Sequence, residues 1–283
     1  NDNATPPNTI TKAWQFTVQD YSTFPAIPPT FKMPDGSVDL TASGFNVRMH
    51  QMEVARPGGN NLPAPLLQLA DQLIDSATTQ PYPNVIDTSL EPGKWTGTTY
   101  AESDVINYNQ DARDNPAAGA GTFRPDNPIP GIPGTGGSTD NIAMEATTYL
   151  ELSAGTYRMG VNSDDGFVVG SALNPKDTLP IRLGLFDGGR GSADSFFDFV
   201  VAESGIYPFS LIWWEGGGGA NLEWFYEESD TGQRILINNR SVPVPVKAYR
   251  TAKGTRPYVQ SVEPAAGAFG VPVNANIEFV LAD

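Results

Sequence analysis

The chain has 283 residues, and its 32 acidic and 17 basic side chains give a formal net charge of −15 at pH 7. The field of such a polyanion repels nucleic acid and acidic membrane surfaces, so we expect neither nucleic acid binding nor membrane insertion. Disulfides, thiolate metal sites and cysteine nucleophiles are excluded because the chain has no cysteine, and no apolar run approaches the roughly 20 residues of a membrane-spanning helix.

The composition predicts an all-β protein. There are 29 glycines and 25 prolines, which helix interiors tolerate poorly and which strands separated by turns accept at their ends. Hydrophobic residues make up 39% of the chain, enough for a sizeable core. We therefore expect a two-sheet antiparallel β-sandwich with long Gly/Pro-rich loops.

The first 43 residues are predicted to be a lead-in that packs on the sandwich. They contain one alternating, strand-like stretch at Trp14–Val18, followed by a proline-rich passage. A second strand is predicted at Gly44–His50, with one buried face formed by Phe45, Val47 and Met49. Because the sequence begins at Asn1 without Met, we expect any export signal to have been removed or to lie outside this sequence.

One short amphipathic helix of about a dozen residues is predicted after Pro63, because apolar side chains recur there at helical spacing. These side chains are Leu66, Leu69, Ala70, Leu73 and Ile74. Residues 114–141 hold five prolines and six glycines and little to bury, so they are predicted to be a surface loop inserted into the sandwich.

Two similar strand–turn–strand units, 149–161 and 197–212, are predicted to be β-hairpins, each with a Gly turn followed by Tyr. The second strand of each unit runs into a polar or glycine-rich loop, 162–166 in one case and 215–221 in the other. If the two units occupy equivalent places in facing sheets, both loops emerge at one end of the sandwich and form a site.

The segments Ser163–Gly166 (Ser-Asp-Asp-Gly) and Trp214–Trp224 (Trp-Glu, a glycine run, Leu-Glu-Trp) resemble the protective-antigen fourteen-kilodalton domain family. The resemblance covers roughly 44–250 and is strongest over 142–240. It implies a β-sandwich module of the kind found in toxins, yeast flocculins and adhesins, glycosidases and bacterial surface proteins.

In sugar-binding members of that family, two consecutive aspartates hold a calcium ion, often through a cis peptide between them, and the ion coordinates sugar hydroxyls. The matching positions are Asp164 and Asp165. A second loop of the family contributes carbonyl oxygens and an Asn, for which the nearest matches are Gly216–Gly219, including Gly217 and Gly218, and Asn221. The segment 255–283 looks like the start of a bacterial immunoglobulin-like domain, so the chain is expected to stop inside a second, incomplete domain.

The residues alone leave other interpretations open. Asp165-Gly166 is also a favoured hairpin-turn pair, and the glycine run could be a flexible turn. Trp213 and Trp214 are adjacent in a strand, so one should face outward, where it could stack on a sugar or pack beneath a loop. The loop Asp187–Asp194 could add an acidic ligand or an Arg donor to the site, or it could be a wide turn in which Arg190 pairs with a nearby Asp.

Enzyme signatures are absent from the sequence. His50 is the single histidine, and neither a zinc-binding His-Glu-x-x-His pattern nor a nucleophile elbow accompanies it. We therefore predict a structural His50 and a protein that is not an enzyme. A carboxylate pair for glycoside hydrolysis stays open, because a sequence with 32 acids does not give their separations.

The expected organisation is a lead-in (1–43), a protective-antigen-type sandwich (44–254) and an immunoglobulin-like start (255–283). The expected function is a non-catalytic, calcium-assisted carbohydrate-binding or adhesion module of an exported bacterial surface protein, with a glycan as partner. The predicted metal ligands are Asp164, Asp165 and Asn221, and the predicted sugar-binding residues are Trp214, Asn221, Gly217 and Gly218. One alternative is a structural subunit of an extracellular fibre or surface layer, joined to its own copies through the C-terminal strands. A hydrolase accessory domain is the other.

Overall fold

A computed structural model of the chain describes residues 24–243, 245–254, 256–264 and 271–283. The strand predicted at Trp14–Val18 lies outside the described residues. The described strands in chain order are β1 (Ala26–Ile27), β2 (Phe45–Gln51), β3 (Ile74–Asp75), β4 (Gln80–Pro81), β5 (Trp95–Thr96), β6 (Thr99–Glu102), β7 (Asn107–Asn109), β8 (Asn127–Pro128), β9 (Ile142–Leu152), β10 (Gly155–Asp164), β11 (Gly166–Ser171), β12 (Ile181–Phe186), β13 (Ala193–Val201), β14 (Gly205–Glu215), β15 (Asn221–Glu227), β16 (Arg234–Leu236), β17 (Lys247–Tyr249), β18 (Tyr258–Glu263) and β19 (Glu278–Ala282).

Two large sheets form a β-sandwich, as the composition predicts. Sheet A has the order β1-β13-β10-β15-β7-β8, with β16 added to β15, and sheet B has the order β12-β11-β14-β9-β2-β6-β5, with β17 added to β9. The long strands pair antiparallel, whereas the short edge strands β1 and β8 join sheet A in parallel. The all-β sandwich is therefore confirmed.

The core lies between the two sheets and is rich in aromatic side chains. Phe45, Val47 and Met49 are fully buried, which confirms the predicted inner face of β2. The Phe45 ring lies 5.8 Å from the Trp224 ring of sheet A, centroid to centroid, so the two inner faces interdigitate directly.

The two strand–turn–strand units are not hairpins, and the prediction was wrong on this point. β9 pairs with β14 and β2 in sheet B, whereas the following strand β10 pairs with β13 and β15 in sheet A. β13 and β14 also lie in different sheets. Both units are arches that cross from one sheet to the other. The sequence pattern could not show this, because alternation indicates which face of a strand is buried and not which strand is its partner.

The helix α1 covers only Ala64–Leu69, half the predicted length. The chain leaves the helix at Ala70, and Asp71 has a φ of +55° that no further helical turn accepts. Ile74 is half exposed in the short strand β3 rather than on a helix face.

Two 3-10 turns, Pro29–Phe31 and Gln110–Arg113, accompany α1. Among the described residues there is no helix long and apolar enough to span a membrane.

The segment 114–141 is less superficial than its composition predicts. It contributes β8 to sheet A, and its side chains Ile129 and Ile132 are each only 1% exposed within the core.

The lead-in joins the sandwich through β1, whose Ala26 and Ile27 pair with the end of β13. The immunoglobulin-like start is not confirmed, since β18 and β19 form a separate two-stranded ribbon. The boundaries of the three predicted domains stay a prediction.

Candidate functional site

The centre of the candidate site is the point where the chain passes from one sheet to the other. β10 ends at Asp164 in sheet A and β11 begins at Gly166 in sheet B, so that Asp165 alone bridges the sheets. The peptide bond between Asp164 and Asp165 is cis, as the family resemblance implies. A hairpin turn at Asp165-Gly166 is thereby ruled out, because the two strands that flank it are not partners.

Asp165 is held in place by three N–H donors. Its Oδ1 accepts from the backbone N–H of Arg190 at 2.7 Å, and its Oδ2 accepts from Asn60 Nδ2 at 2.6 Å and from the backbone N–H of Gly216 at 3.1 Å. The residue is only 6% exposed. Its carboxylate is therefore fixed by three different loops before any ligand arrives.

Asp164 is half-buried and lies directly opposite Asn221 in the β10–β15 pairing. Burial, and next the charge of Asp165, raise the pKa of Asp164 to about 6. Asn221 is 2% exposed and donates from Nδ2 to Asn162 Oδ1 at 2.7 Å. A Cβ added at Gly219 would come within 3.1 Å of Asp164 Oδ2, so a glycine there leaves room beside this carboxylate.

The glycine run lies next to the two aspartates, which confirms that both loops emerge at one end of the sandwich. Gly217, Gly218 and Gly219 are exposed, and Gly218 has a φ of +110° that favours glycine. The carbonyl oxygen of Gly216 is already used, because it accepts from the backbone N–H of Asn141 at 3.2 Å.

Of the two alternatives for the outward tryptophan of β14, stacking on a sugar or packing beneath a loop, the structure has the second. Trp213 and Trp214 are both fully buried. The Nε1–H of Trp213 donates to the carbonyl oxygen of Asp164 at 3.0 Å, and that of Trp214 donates to the carbonyl oxygen of Asn60 at 2.8 Å. Trp214 therefore packs beneath a loop, and its ring cannot serve as a sugar platform in this structure.

The loop Asp187–Asp194 contributes Arg190 to the site, but not in either expected way. The guanidinium of Arg190 donates to Ser163 O, Ser163 Oγ and Ser195 Oγ at 2.7 to 3.1 Å, and it lies over the Phe186 ring at 4.1 Å. The Arg190 side chain thus ties the end of β10 to β13 and to the Phe186 ring of β12, and only the backbone N–H of Arg190 donates to an aspartate.

Sequence reasoning missed the residues behind Asp165. Asn60 and the buried Arg56 belong to the polar segment 52–61, about which no motif or periodicity gives a signal. In the sequence Glu215 is only the first residue of the glycine-rich loop, yet its side chain is fully buried and neither of its carboxylate oxygens has a hydrogen-bond partner. Burial, followed by the charges of Asp165, Asp140 and Asp164, raises the pKa of Glu215 to about 8.

The raised pKa values predict that the cation-free protein loses stability as the pH rises from 5 to 8. Glu215 titrates at about 8, and burial raises the pKa of Glu223 to about 7. Since ordinary glutamates titrate near 4.5, the folded state keeps protons that the unfolded chain has released, and this advantage disappears as these groups ionise. Urea unfolding in chelator at several pH values measures this slope.

The substitution Glu215→Gln should flatten the slope between pH 6 and 8, because glutamine carries no charge in either state. The exposed Glu203→Gln is the matched control and should leave the slope as it is in the wild type. An unchanged slope in Glu215→Gln would contradict the burial of an ionisable Glu215 without a partner.

The donor set fits a hard cation and little else. The groups around the crossing are carboxylates, an amide and backbone carbonyls, which are the oxygen ligands that calcium takes. Among the described residues no three His, Cys, Asp or Glu side chains are grouped closely enough to hold a metal ion. A calcium ion here would therefore depend on Asn221 and loop carbonyls in addition to Asp164 and Asp165.

His50 has the structural surroundings that the sequence predicts for it. Its ring is buried, with Nδ1 3.3 Å from Gln68 Nε2 and Nε2 3.4 Å from Asp71 Oδ1. Burial lowers the pKa of His50 more than the nearby Asp71 raises it.

No protein-family model and no curated protein matches the sequence. Several solved structures are similar to it. The PA14 domain of the MpAFP antifreeze protein is 17% identical, with 68% of this chain and 86% of that chain covered and a TM-score of 0.41. The PA14 sugar-binding domain of an RTX adhesin is 15% identical, with 74% and 99% covered and a TM-score of 0.41.

A third similar structure is the epithelial adhesin 9 A domain of Candida glabrata in complex with Galb1-3GlcNAc. It is 12% identical, with 82% of this chain and 99% of that chain covered and a TM-score of 0.46. PA14 domains, the class that the sequence motifs resemble, are thus among the folds to which this sandwich is similar.

Proposed function

We propose that the end of the sandwich around Asp164 and Asp165 binds a calcium ion and, through it, a sugar. The observation that carries this proposal is the pair of adjacent carboxylates at the crossing, with Asn221 directly opposite Asp164. The module is then a carbohydrate-binding or adhesion module without catalytic activity, and its setting is extracellular, at a cell surface.

The electrostatics favour a cation at this position. The pKa of Asp164 is raised by burial and by the charge of Asp165, so the cation-free site holds its negative charge at a cost. An ion between the two carboxylates and Asn221 removes that repulsion. Calcium, when bound, supplies a positive centre whose open coordination positions accept sugar hydroxyls.

The shape of the rim favours a small polar ligand. Gly217, Gly218 and Gly219 are exposed and carry no side chains, so hydroxyl groups can approach the loop backbone closely. Because Trp214 is buried, recognition rests on the ion and on hydrogen bonds rather than on stacking.

The proposal predicts sugar binding that requires calcium. Isothermal titration of the wild type with simple sugars, and with Galb1-3GlcNAc and beta-lactose, the glycans bound in the epithelial adhesin structures, measures it first in calcium and then in chelator. We expect at least one sugar to bind in calcium and none in chelator. Because coupling between two ligands is reciprocal, the same sugar should also lower the dissociation constant of calcium. Equal binding in chelator would contradict the role of calcium, and no binding of any sugar would count against the carbohydrate.

A structural subunit is the second candidate, and one observation favours it. The C-terminal ribbon of β18 and β19 exposes large apolar side chains that a soluble surface seldom shows, with Phe279 at 55%, Val280 at 51% and Leu281 at 69% exposure. Mass photometry over a range of concentrations separates the two candidates. A strict monomer argues against the fibre, and chains of copies that Phe279→Glu abolishes argue for it.

A further inference from the structure

The side chain of Arg56 lies behind the candidate site and joins four parts of the fold. It is 5% exposed. Its Nε donates to Gln68 Oε1 at 2.5 Å, and its Nη1 donates to Asn60 Oδ1 at 2.8 Å. Its Nη2 donates to the carbonyl oxygens of Ile142 at 2.6 Å and Glu215 at 2.9 Å, which are the first residue of β9 and the last of β14.

Asn60 stands between Arg56 and Asp165, and its amide can take only one orientation. A guanidinium has donors and no acceptor, so the Oδ1 of Asn60 must face Arg56. An ionised carboxylate has acceptors and no donor, so the Nδ2 of Asn60 must face Asp165, whose Oδ2 lies 2.6 Å away. The carbonyl oxygen of Asn60 also accepts from Trp214, which fixes its backbone.

Two hydrogen bonds in series thus connect the buried guanidinium of Arg56, through the amide of Asn60, to the predicted calcium ligand Asp165. We infer that Arg56 and Asn60 are positioning residues of the cation site, with Arg56 fixing the amide of Asn60 and Asn60 fixing the rotation of the Asp165 carboxylate. The inference rests on the proposed function and adds two residues to it that touch neither the ion nor the sugar.

Arg56 also places a buried positive charge close to Glu215 and Asp165. Burial lowers the pKa of Arg56 more than the nearby Glu215 and Asp165 raise it, which leaves it at about 10. The guanidinium therefore remains charged at neutral pH. In the cation-free protein it balances part of the charge of Asp165, and through Asn60 it keeps the Asp165 carboxylate oriented until an ion binds.

Groups that orient metal ligands without touching the metal change metal affinity about 10–100-fold when they are removed. We expect Asn60→Ala to weaken binding of calcium, and of terbium as its luminescent substitute, by a factor in this range. The readout is terbium luminescence excited through the tryptophans, titrated to saturation and competed with calcium. The melting temperature in chelator is measured beside it, because Asn60→Ala also removes hydrogen bonds to the buried Arg56 and Asp165, and only a variant that is still folded at the titration temperature reports on affinity.

Arg56→Lys keeps the charge but not the planar guanidinium that reaches four acceptors. If this variant folds, it should weaken binding of calcium and terbium by about as much as Asn60→Ala does. Arg48→Gln is the matched control, because Arg48 bonds to Glu145 and to the carbonyl oxygen of Leu69 rather than to Asn60. Terbium affinity within about twofold of the wild type in Asn60→Ala would overturn the inference while leaving the proposed function intact. A wild type that binds neither ion would overturn the proposed function, and the inference with it.

Discussion

Replacing Asp164 with Asn is expected to abolish the stabilisation of the chain by calcium. In the wild type, an ion present at 100 times its dissociation constant should add about 2.7 kcal/mol to the free energy of unfolding. The substitution keeps the size of the side chain and removes one of only two carboxylates at the crossing. Since Asn221 and the loop carbonyls are neutral, the remaining site has half the charge and should not retain calcium.

The same substitution should have a different effect without calcium. Burial and the neighbouring charge of Asp165 raise the pKa of Asp164 to about 6, so its ionised form is unfavourable at pH 8. In chelator at pH 8, Asp164→Asn should therefore unfold at the same temperature as the wild type or at a higher one. Thermal melts in calcium and in chelator measure both effects.

Asp35→Asn is the matched control for this experiment. Asp35 is exposed, and it lies near Met33, which bonds to Ile206 at the end of β14 opposite to Glu215. This variant should keep the full calcium shift. An equal calcium shift in Asp164→Asn and the wild type would show that Asp164 holds no ion.

The second large effect is expected from Gly166→Ala, which should destabilise the chain by about 3 kcal/mol. Gly166 is fully buried and pairs with Trp214, and an added Cβ would overlap the Trp214 ring. The ring cannot move aside easily, because it is buried and its Nε1–H is bonded to Asn60. The clash would therefore push β11 and β14 apart directly beside Asp165.

Urea unfolding of Gly166→Ala measures this loss, with Gly191→Ala as the matched control. Gly191 lies in the loop Asp187–Asp194, and an added Cβ there meets no atom within 4 Å. The control should stay within about 0.5 kcal/mol of the wild type. A Gly166→Ala variant as stable as the control would mean that Trp214 is not packed against the crossing.

The parts of this structure that depend on local pattern could be predicted from the sequence. Alternation gave the inner face of β2, and the composition gave the all-β sandwich. The position of Asp164 and Asp165 beside the glycine run was also predicted, although the strand–turn–strand units are arches rather than hairpins. The prediction survived this error because arches, like hairpins in facing sheets, bring the ends of β10 and β14 to the same side.

The parts that depend on distant segments could not be predicted. Trp214 is buried because the segment 52–61 folds over it, and the two are about 150 residues apart in the chain, as the bond between Asn60 and Trp214 shows. The same segment supplies Asn60 to Asp165. Apolar residues continue at helical spacing past Leu69, yet the helix ends there and Asp71 has a left-handed backbone conformation. The apolar pattern does not indicate the backbone angle of one residue, so this end of the helix could not be predicted.

Titration of the wild type with calcium alone, by isothermal titration calorimetry near pH 7.5, tests the central claim most directly. It requires no knowledge of the sugar. The site around Asp164 and Asp165 predicts one bound ion per chain, because at this pH the carboxyl of Asp164, whose pKa is raised to about 6, is largely ionised and ready to bind a cation. Absence of calcium binding, or equal binding in Asp164→Asn, would contradict the account.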